Sequence, residues 1–380
     1  MHVTLFAHVT PQANPYVGRL LRSIEPHCAG PVKLLPYFTL GWTLAHGGPG
    51  RIAHLHWIDG HVNPRPWARP NAHGAGRVLY KLGSNRVARP VRAVWLYAQL
   101  WLALQVARRQ GVRFVYTVHE LRSNLAHDRF HHQLTDRAHN LIFRVADAVH
   151  VHSHSSAAEV ARRYGRTRAV FRVPLGNYIG QYPDTISRAA ARAELGLPED
   201  AFVCLFLGQI APYKGLERLL ETVKAQDDPR LRLVIAGKEA LPTYGARIAA
   251  QAQHPGILYR PGFVPDERIQ VFCNAADVMT LPFEQITTSS SIMLAYSFGL
   301  PVVAPALPYL QEFVTPEVGV LYAPEAPGAL AAALRLAQHA AWSRPAVLDY
   351  AHQFDWSVIG AQLADVYRVA LGEPVIAMAR

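Results

Sequence analysis

The chain has 380 residues, half of them hydrophobic and 17% charged, with 38 Lys and Arg against 27 Asp and Glu and a formal net charge of +11 at pH 7. That length is generous for one domain and comfortable for two, each able to bury its own core, and the composition excludes a disordered chain. The positive balance favours a polyanionic partner: nucleic acid, acidic lipid headgroups or phosphorylated small molecules.

Cys28, Cys204 and Cys273 are far apart and form no CxxC, so they read as reduced, buried thiols. The opening MHVTLFAHVTPQANPY has neither the basic region nor the apolar run of a signal peptide. The most apolar long segment, Val91 to Ala107, carries Arg92 and falls short of the ~20 residues that span a bilayer. The expectation is a cytoplasmic protein, peripheral at the inner face of a membrane.

Val3 to Ala7 reads as a first strand, followed by a polar loop and an amphipathic helix from about Tyr16. Val32 to Leu35 and Ile52 to Trp57 are further strands, the latter delivering His56 and Trp57 to its end just before Asp59-Gly60. A helix over Val91 to Gln110 leads to a strand Phe114 to Val118, then His119-Glu120; a helix over Asp136 to Val145 precedes a strand Ala148 to Val151. From Arg172 to Asp200 the chain turns rich in Pro, Gly and polar residues, which marks a linker. Beyond it the pattern repeats, with strands Phe202 to Leu207, Leu231 to Ala236, a short one at Leu258 to Tyr259, Pro301 to Ala304 and Gly319 to Tyr322, and a terminal helix over Ile359 to Leu371. Alternating strands and helices predict α/β architecture with parallel, doubly wound sheets, whose binding residues lie at strand carboxyl ends. Asp59, His119 and His154 fall at such ends, and two such domains facing a cleft suit a pair of substrates.

Leu281 to Pro305 organises the second half: a strand end, a hydroxyl run (Thr287, Thr288, Ser289, Ser290, Ser291) and an apolar helix stopping at Gly299. Free N–H groups at such a helix start suit a phosphate. Gly208 to Gly215 (GQIAPYKG) follows a strand and presents Lys214, a point charge for a diphosphate. The spacing is not that of a P-loop, and no G-x-G-x-x-G follows the first strand, which disfavours an NAD-type enzyme. His150, His152 and His154 are expected on one face of a strand, as a packed or site-lining strand end with no metal bound. His119 and Glu120 offer polar contact or proton transfer. From Gly60 to Arg113 there is no Asp or Glu. Arg65, Arg69, Arg77, Lys81, Arg86, Arg89, Arg92, Arg108, Arg109 and Arg113 are interleaved there with Trp67, Tyr80, Trp95, Tyr97 and Trp101. Such a stretch suits an anionic membrane surface or a lipid-diphosphate acceptor.

With these pieces placed, the chain resembles the GT-B glycosyltransferases of group 1, family 4, of bacterial exopolysaccharide type. The resemblance covers most of the chain and is strongest from Pro174 to Tyr322: PLGNY, FLGQIAPYKGLERLL, LVIAGK, GFVPDERIQVFCNAADVMTLPF, TTSSSIMLAYSFGLPVVAP and QEFVTPEVGVLY. In the N-terminal half HLHW, YTVHEL and ADAVHVHSHSSAAEV stand where that family has its acceptor-domain strands.

It implies an acceptor-side domain over 1–175, with 355–380 packing back on it, and a nucleotide-sugar-binding domain over 176–354. It also implies Gly208 and Lys214 at the donor diphosphate, Phe263 and Val264 at the base, Thr288 to Ser291 at phosphate and His119 at the donor sugar. Asn14, Tyr16, His56 and Trp57 are expected on the acceptor side, with Asp59, His119 or Glu120 as base if the reaction inverts. Gln209 stands where the family commonly has Arg. The two usual Glu positions are Ile286 and Leu294, so Glu284 is taken as substitute for the first and Glu312 for the ribose contact. The implied reaction moves a hexose from a GDP- or UDP-sugar to a saccharide acceptor, lipid-diphosphate-linked, with no cofactor or metal and no nucleic acid. A nucleotide-sugar 2-epimerase of the same shape and a nucleic-acid-binding protein are the alternatives.

Overall fold

The computed structural model describes residues 1–62, 74, 88–121, 129–226 and 228–374. The chain divides into two compact units, Met1–Pro174 with Trp356–Arg380, and Leu175–Asp355.

In the first unit β1 (His2–Phe6), β2 (Lys33–Leu35), β3 (Arg51–His56), β4 (Arg113–Val118), β5 (Ala148–Val151) and β6 (Val170–Arg172) form a sheet ordered β2-β1-β3-β4-β5-β6, every pair parallel. The strand order reverses between β1 and β3, so the loops leaving those two strands diverge and open a crevice at their carboxyl ends. The inner strands are buried on both faces, as parallel strands covered by helices must be. Alternation sorts their side chains. Ala53, Leu55, Phe114, Tyr116, Val118, Val149 and Val151 join an apolar core with Trp42, Leu100, Leu104 and Ala138 from helices Leu40–His46, Ala88–Arg109 and Arg129–Val145. The opposite parity puts His54, His56, Thr117, His150 and His152 toward the other face. There helix Trp356–Leu371 meets them, Tyr367 Oη lying 2.7 Å from His54 Nδ1. That helix also packs on helix Pro15–Ile24 at Gly360, where a Cβ would stand 2.1 Å from the Ser23 carbonyl oxygen.

The second unit carries β7 (Phe202–Leu207), β8 (Leu231–Gly237), β9 (Ile257–Pro261), β10 (Val278–Thr280), β11 (Val302–Pro305) and β12 (Gly319–Tyr322), all parallel, in the order β12-β11-β10-β7-β8-β9. Its switch point lies between β7 and β10. The buried Arg192 braces the sheet from below, donating to the carbonyl oxygens of Ala275 and Ala201 and to Asp277, which also receives the Val203 N–H at 2.7 Å.

Several expectations are corrected. The linker stretch contains a helix, Arg188–Leu195, capped by Ser187 and ended by Gly196 in the left-handed region. Helices Leu40–His46, Pro242–Gln251 and Arg344–His352 were not anticipated. His154 is not on the face of β5: the strand ends at Val151, Ser153 caps the next helix, and His154 is its exposed first residue. Arg65, Trp67, Arg69, Arg77, Tyr80, Lys81 and Arg86 lie outside the described residues. Among the described residues no helix is long and apolar enough to cross a membrane. The three cysteines are free thiols.

Candidate active site

At the switch point of the second unit, glycines let the strand-end loops close on one another. Gly237 has φ +146°, and a Cβ there would stand 1.8 Å from the Gly208 carbonyl oxygen. Gly208 N–H donates to Ala236 O at 3.0 Å and Gly262 N–H to Gly237 O at 2.9 Å, so β7, β8 and β9 end in contact. Gly215 (φ +68°) does the same toward β10, since a Cβ would lie 2.0 Å from Pro282 O. Beside it the Glu284 N–H donates to Tyr213 O at 3.0 Å. This zipping of the loops after β7 and β10 sets the Lys214 ammonium 4.1 Å from the centre of the Phe283 ring and 5.1 Å from that of Tyr213. Ring faces attract a cation through their quadrupole.

Helix Ser290–Ser297 begins at the same place: a Cβ on Gly208 would be 3.7 Å from Ser291 Oγ. Its N-cap, Ser289, has the extended backbone of a cap but makes no side-chain cap hydrogen bond. Its hydroxyl is buried and without a partner. A capping serine ordinarily satisfies an N–H of the first turn; the Ser289 hydroxyl does not. An ammonium, uncapped helix N–H groups and a buried hydroxyl at one strand end suit a diphosphate. Ser289→Ala is therefore expected to leave stability within about 0.5 kcal/mol of wild type, because no cap bond is lost. It should weaken binding of a nucleoside diphosphate by roughly fivefold, the worth of one hydrogen bond. Denaturant titration and calorimetry read the two.

Around this centre Gln209, Glu284 and Ser290 are exposed, and Lys214, Thr288 and Ser291 half-buried. Phe263, 78% exposed, follows β9 with the half-buried Val264, separated from β7 by β8. Glu312 closes helix Pro308–Gln311 after β11, on the far side of β10. The sequence reading brought no attention to Tyr213 and Phe283, whose aromatic spacing from Lys214 becomes visible only once the two loops meet.

In the first unit a cluster of rings gathers at the ends of β3, β4 and β5. His56 Nδ1 lies 2.9 Å from His119 Nε2, and Trp57 stacks on His119 with centroids 4.0 Å apart and planes at 9°. Trp57 reaches that position with φ +47°, a region costly for a non-glycine residue. Tyr16, buried, sets its ring edge-on to His119 at 5.2 Å and to His152 at 6.0 Å, while Asn14 caps its helix by accepting the Tyr16 N–H. Asp59 opens helix Asp59–Val62 just beyond Trp57, and Glu120 is exposed beside His119.

Behind this cluster runs a fixed chain of hydrogen bonds. The Val173 carbonyl can only accept, so His150 donates to it through Nε2 and accepts from Thr117 through Nδ1. Thr117 then accepts from His54 Nε2, and His54 Nδ1 accepts from Tyr367. His152 Nδ1 shares the same carbonyl. Among the described residues no three His, Cys, Asp or Glu side chains could hold a metal ion.

Burial pushes these imidazoles down, joined at all but His150 by the neighbouring histidines: His56 to about 3, His150 to about 4, and His54, His119 and His152 well below the usual value of 6.5. Their folded-state pKa values lie below the unfolded value, so below pH 6.5 the unfolded chain binds protons that the folded chain does not. Stability is thus full above pH 6.5 and falls as the pH drops toward 4, by about 1.4 kcal/mol per pH unit for each such histidine. Scanning calorimetry should show a steep loss of Tm between pH 6.5 and 5; a flat Tm there would contradict the buried neutral cluster.

Two parallel doubly wound units, one with Lys214 and the start of helix Ser290–Ser297 at its strand ends and one with a polar ring cluster, define an α/β protein of the GT-B class. HepE of Anabaena, solved with UDP and glucose, superposes with a TM-score of 0.67 over 97% of this chain and 99% of its own, at 19% identity. A family model described as "Glycosyl transferases group 1" matches residues 187–351. The D-inositol 3-phosphate glycosyltransferase of Saccharomonospora viridis is 32% identical over 301 residues, 73% of this chain and 69% of its own. The GDP-mannose:glycolipid 4-beta-D-mannosyltransferase of Xanthomonas campestris pv. campestris is 34% identical over 173 residues, 44% of this chain and 49% of its own, so the match spans about half its length. The chain belongs to the group 1 glycosyltransferases.

Proposed function

We propose that the protein transfers a hexose from a GDP- or UDP-sugar to a saccharide acceptor carried on a lipid diphosphate, in polysaccharide assembly at an anionic membrane surface. The observation that carries this reading is the uncapped start of helix Ser290–Ser297 beside Lys214 and Gly208. In this reading the donor diphosphate accepts from the first-turn N–H groups and Ser289, with Lys214 at its charge. The base rests near Phe263 and Val264, Glu284 reaches the sugar, Thr288 and Gln209 flank the phosphates, and Glu312 is the candidate ribose contact. Asn14, Tyr16, His56 and Trp57 line the acceptor's place.

The sugar C1–O bond breaks as an acceptor oxygen bonds to C1, and the nucleoside diphosphate departs with the electron pair. Lys214 and the helix start stabilise the charge that grows on it. The acceptor proton passes to a base, for which Asp59, His119 and Glu120 are the candidates. The glycolipid acceptor of the Xanthomonas relative and the UDP of HepE support the two substrate classes. The test is incubation with a panel of nucleotide sugars and lipid-diphosphate saccharides, scored for the new glycoside. An epimerised donor formed without acceptor would favour the 2-epimerase instead.

A further inference from the structure

Helix Ala88–Arg109 breaks the usual rule for a surface helix, that the outer face is polar. Its inner face, with Ala93, Leu100, Ala103, Leu104 and Ala107, is buried in the core of the first unit. Its outer face is apolar too: Val91 is 64% exposed, Val94 53%, Trp95 57%, Trp101 49% and Leu102 43%. These recur at three- and four-residue intervals with Ala98, so they form one stripe. Arg108 and Arg109 follow at its end, both exposed, and no acidic residue occurs in sequence from Gly60 to Arg113. Arg92, on the flank, lines a cavity of about 310 Å³ whose other walls include Phe38, Leu40, Leu96 and Leu100. The helix also carries Arg92, Gln99 and Gln105, but a contiguous exposed apolar stripe of this extent marks a surface that meets a partner. Indoles beside guanidinium groups, without carboxylates, match the chemistry of an anionic headgroup layer.

We propose that this outer face seats the protein on an anionic bilayer, the helix lying in the headgroup plane with Trp95 and Trp101 in the interface. The proposal deepens the membrane part of the preceding reading by naming the surface that meets the lipid. The helix does not meet the requirement for spanning, so it rests on the membrane and does not cross it.

The test uses the full chain and sedimentation with phosphatidylcholine vesicles, plain or with about a third phosphatidylglycerol. Wild type should sediment with the anionic vesicles alone, and brominated lipid should quench its tryptophan fluorescence. Arg108→Gln with Arg109→Gln should weaken partition by about fivefold per charge removed. Trp95→Ser with Trp101→Ser should abolish partition and remove the quenching, with the melting temperature and transfer to a water-soluble acceptor unchanged. Equal behaviour of wild type and both variants, or no preference for anionic vesicles, overturns the seat. A wild-type dimer that the tryptophan variant converts to monomer, without vesicle binding, overturns it in favour of a second copy. Vesicle binding needs no sugar transfer, so a missing glycoside product with normal partition sinks the proposed reaction and leaves the seat standing.

Discussion

Lys214→Ala is expected to lower kcat by about 100- to 1000-fold, the usual cost of removing one preorganised group that meets developing charge. The fold should survive, because Lys214 is half-buried at a loop and its ring contacts with Phe283 and Tyr213 are worth only about 0.5–1 kcal/mol. Lys214→Arg is the informative partner variant. A guanidinium keeps the charge but not the compact shape that fits over one ring face, so it should recover only part of the rate. Steady-state kinetics on soluble, normally melting variants decide. Near-normal turnover in Lys214→Ala would remove the residue from the reaction.

Gly237→Ala is expected to be the most damaging small substitution in the second unit. A methyl group there would stand 1.8 Å from the Gly208 carbonyl oxygen, with φ +146°, and neither backbone can yield without parting β7 from β8. The combined strain and displacement should cost about 3 kcal/mol or more. Because Gly208 is the atom group displaced, nucleotide affinity should fall with stability. Gly328 supplies the control. Its φ is +73° but a Cβ there meets nothing within 4 Å, so Gly328→Ala should cost only the left-handed penalty of roughly 1–2 kcal/mol. Equal losses in chemical denaturation would show that backbone strain alone, and not the close approach, sets the effect.

Much of the architecture was legible in the sequence because parallel strands announce themselves. FVYTV, FVCLFL and LRLVIA are β-branched or aromatic runs that end at Gly or at polar residues, and burial on both faces leaves few polar interruptions to confuse them. The helices that escaped notice lack such contrast. Leu40–His46 spans 7 residues and is announced only by Thr39, whose hydroxyl accepts the Trp42 N–H. Pro242–Gln251 has no side-chain cap at all. Arg188–Leu195 was hidden inside a stretch whose Pro and Gly residues belong to its flanks.

The site divides in the same way. Gly208 and Lys214 follow the end of β7 in sequence and Ser289 to Ser291 open the helix after β10, so rules about strand ends and helix starts name them as candidates. What no spacing could reveal is that Ser289 fails to cap its helix, or that Phe283 lies under Lys214, because both depend on where two separate loops meet. The misplaced His154 shows the converse error. A period of two was continued past Val151, where Ser153 already turns the chain into a helix. In the first unit alternation did place His150 and His152 on one face, but their partners, Thr117 and Val173, come from other strands and loops.

The most direct measurement of the central claim is calorimetric titration of UDP and GDP into wild type, Ser289→Ala and Lys214→Ala. The structure predicts that wild type binds one of the two nucleotides, that Ser289→Ala binds it roughly fivefold more weakly, and that Lys214→Ala binds it at least about tenfold more weakly. Binding of neither nucleotide by the wild type, or equal affinity in all three proteins, would contradict a diphosphate site at the start of helix Ser290–Ser297.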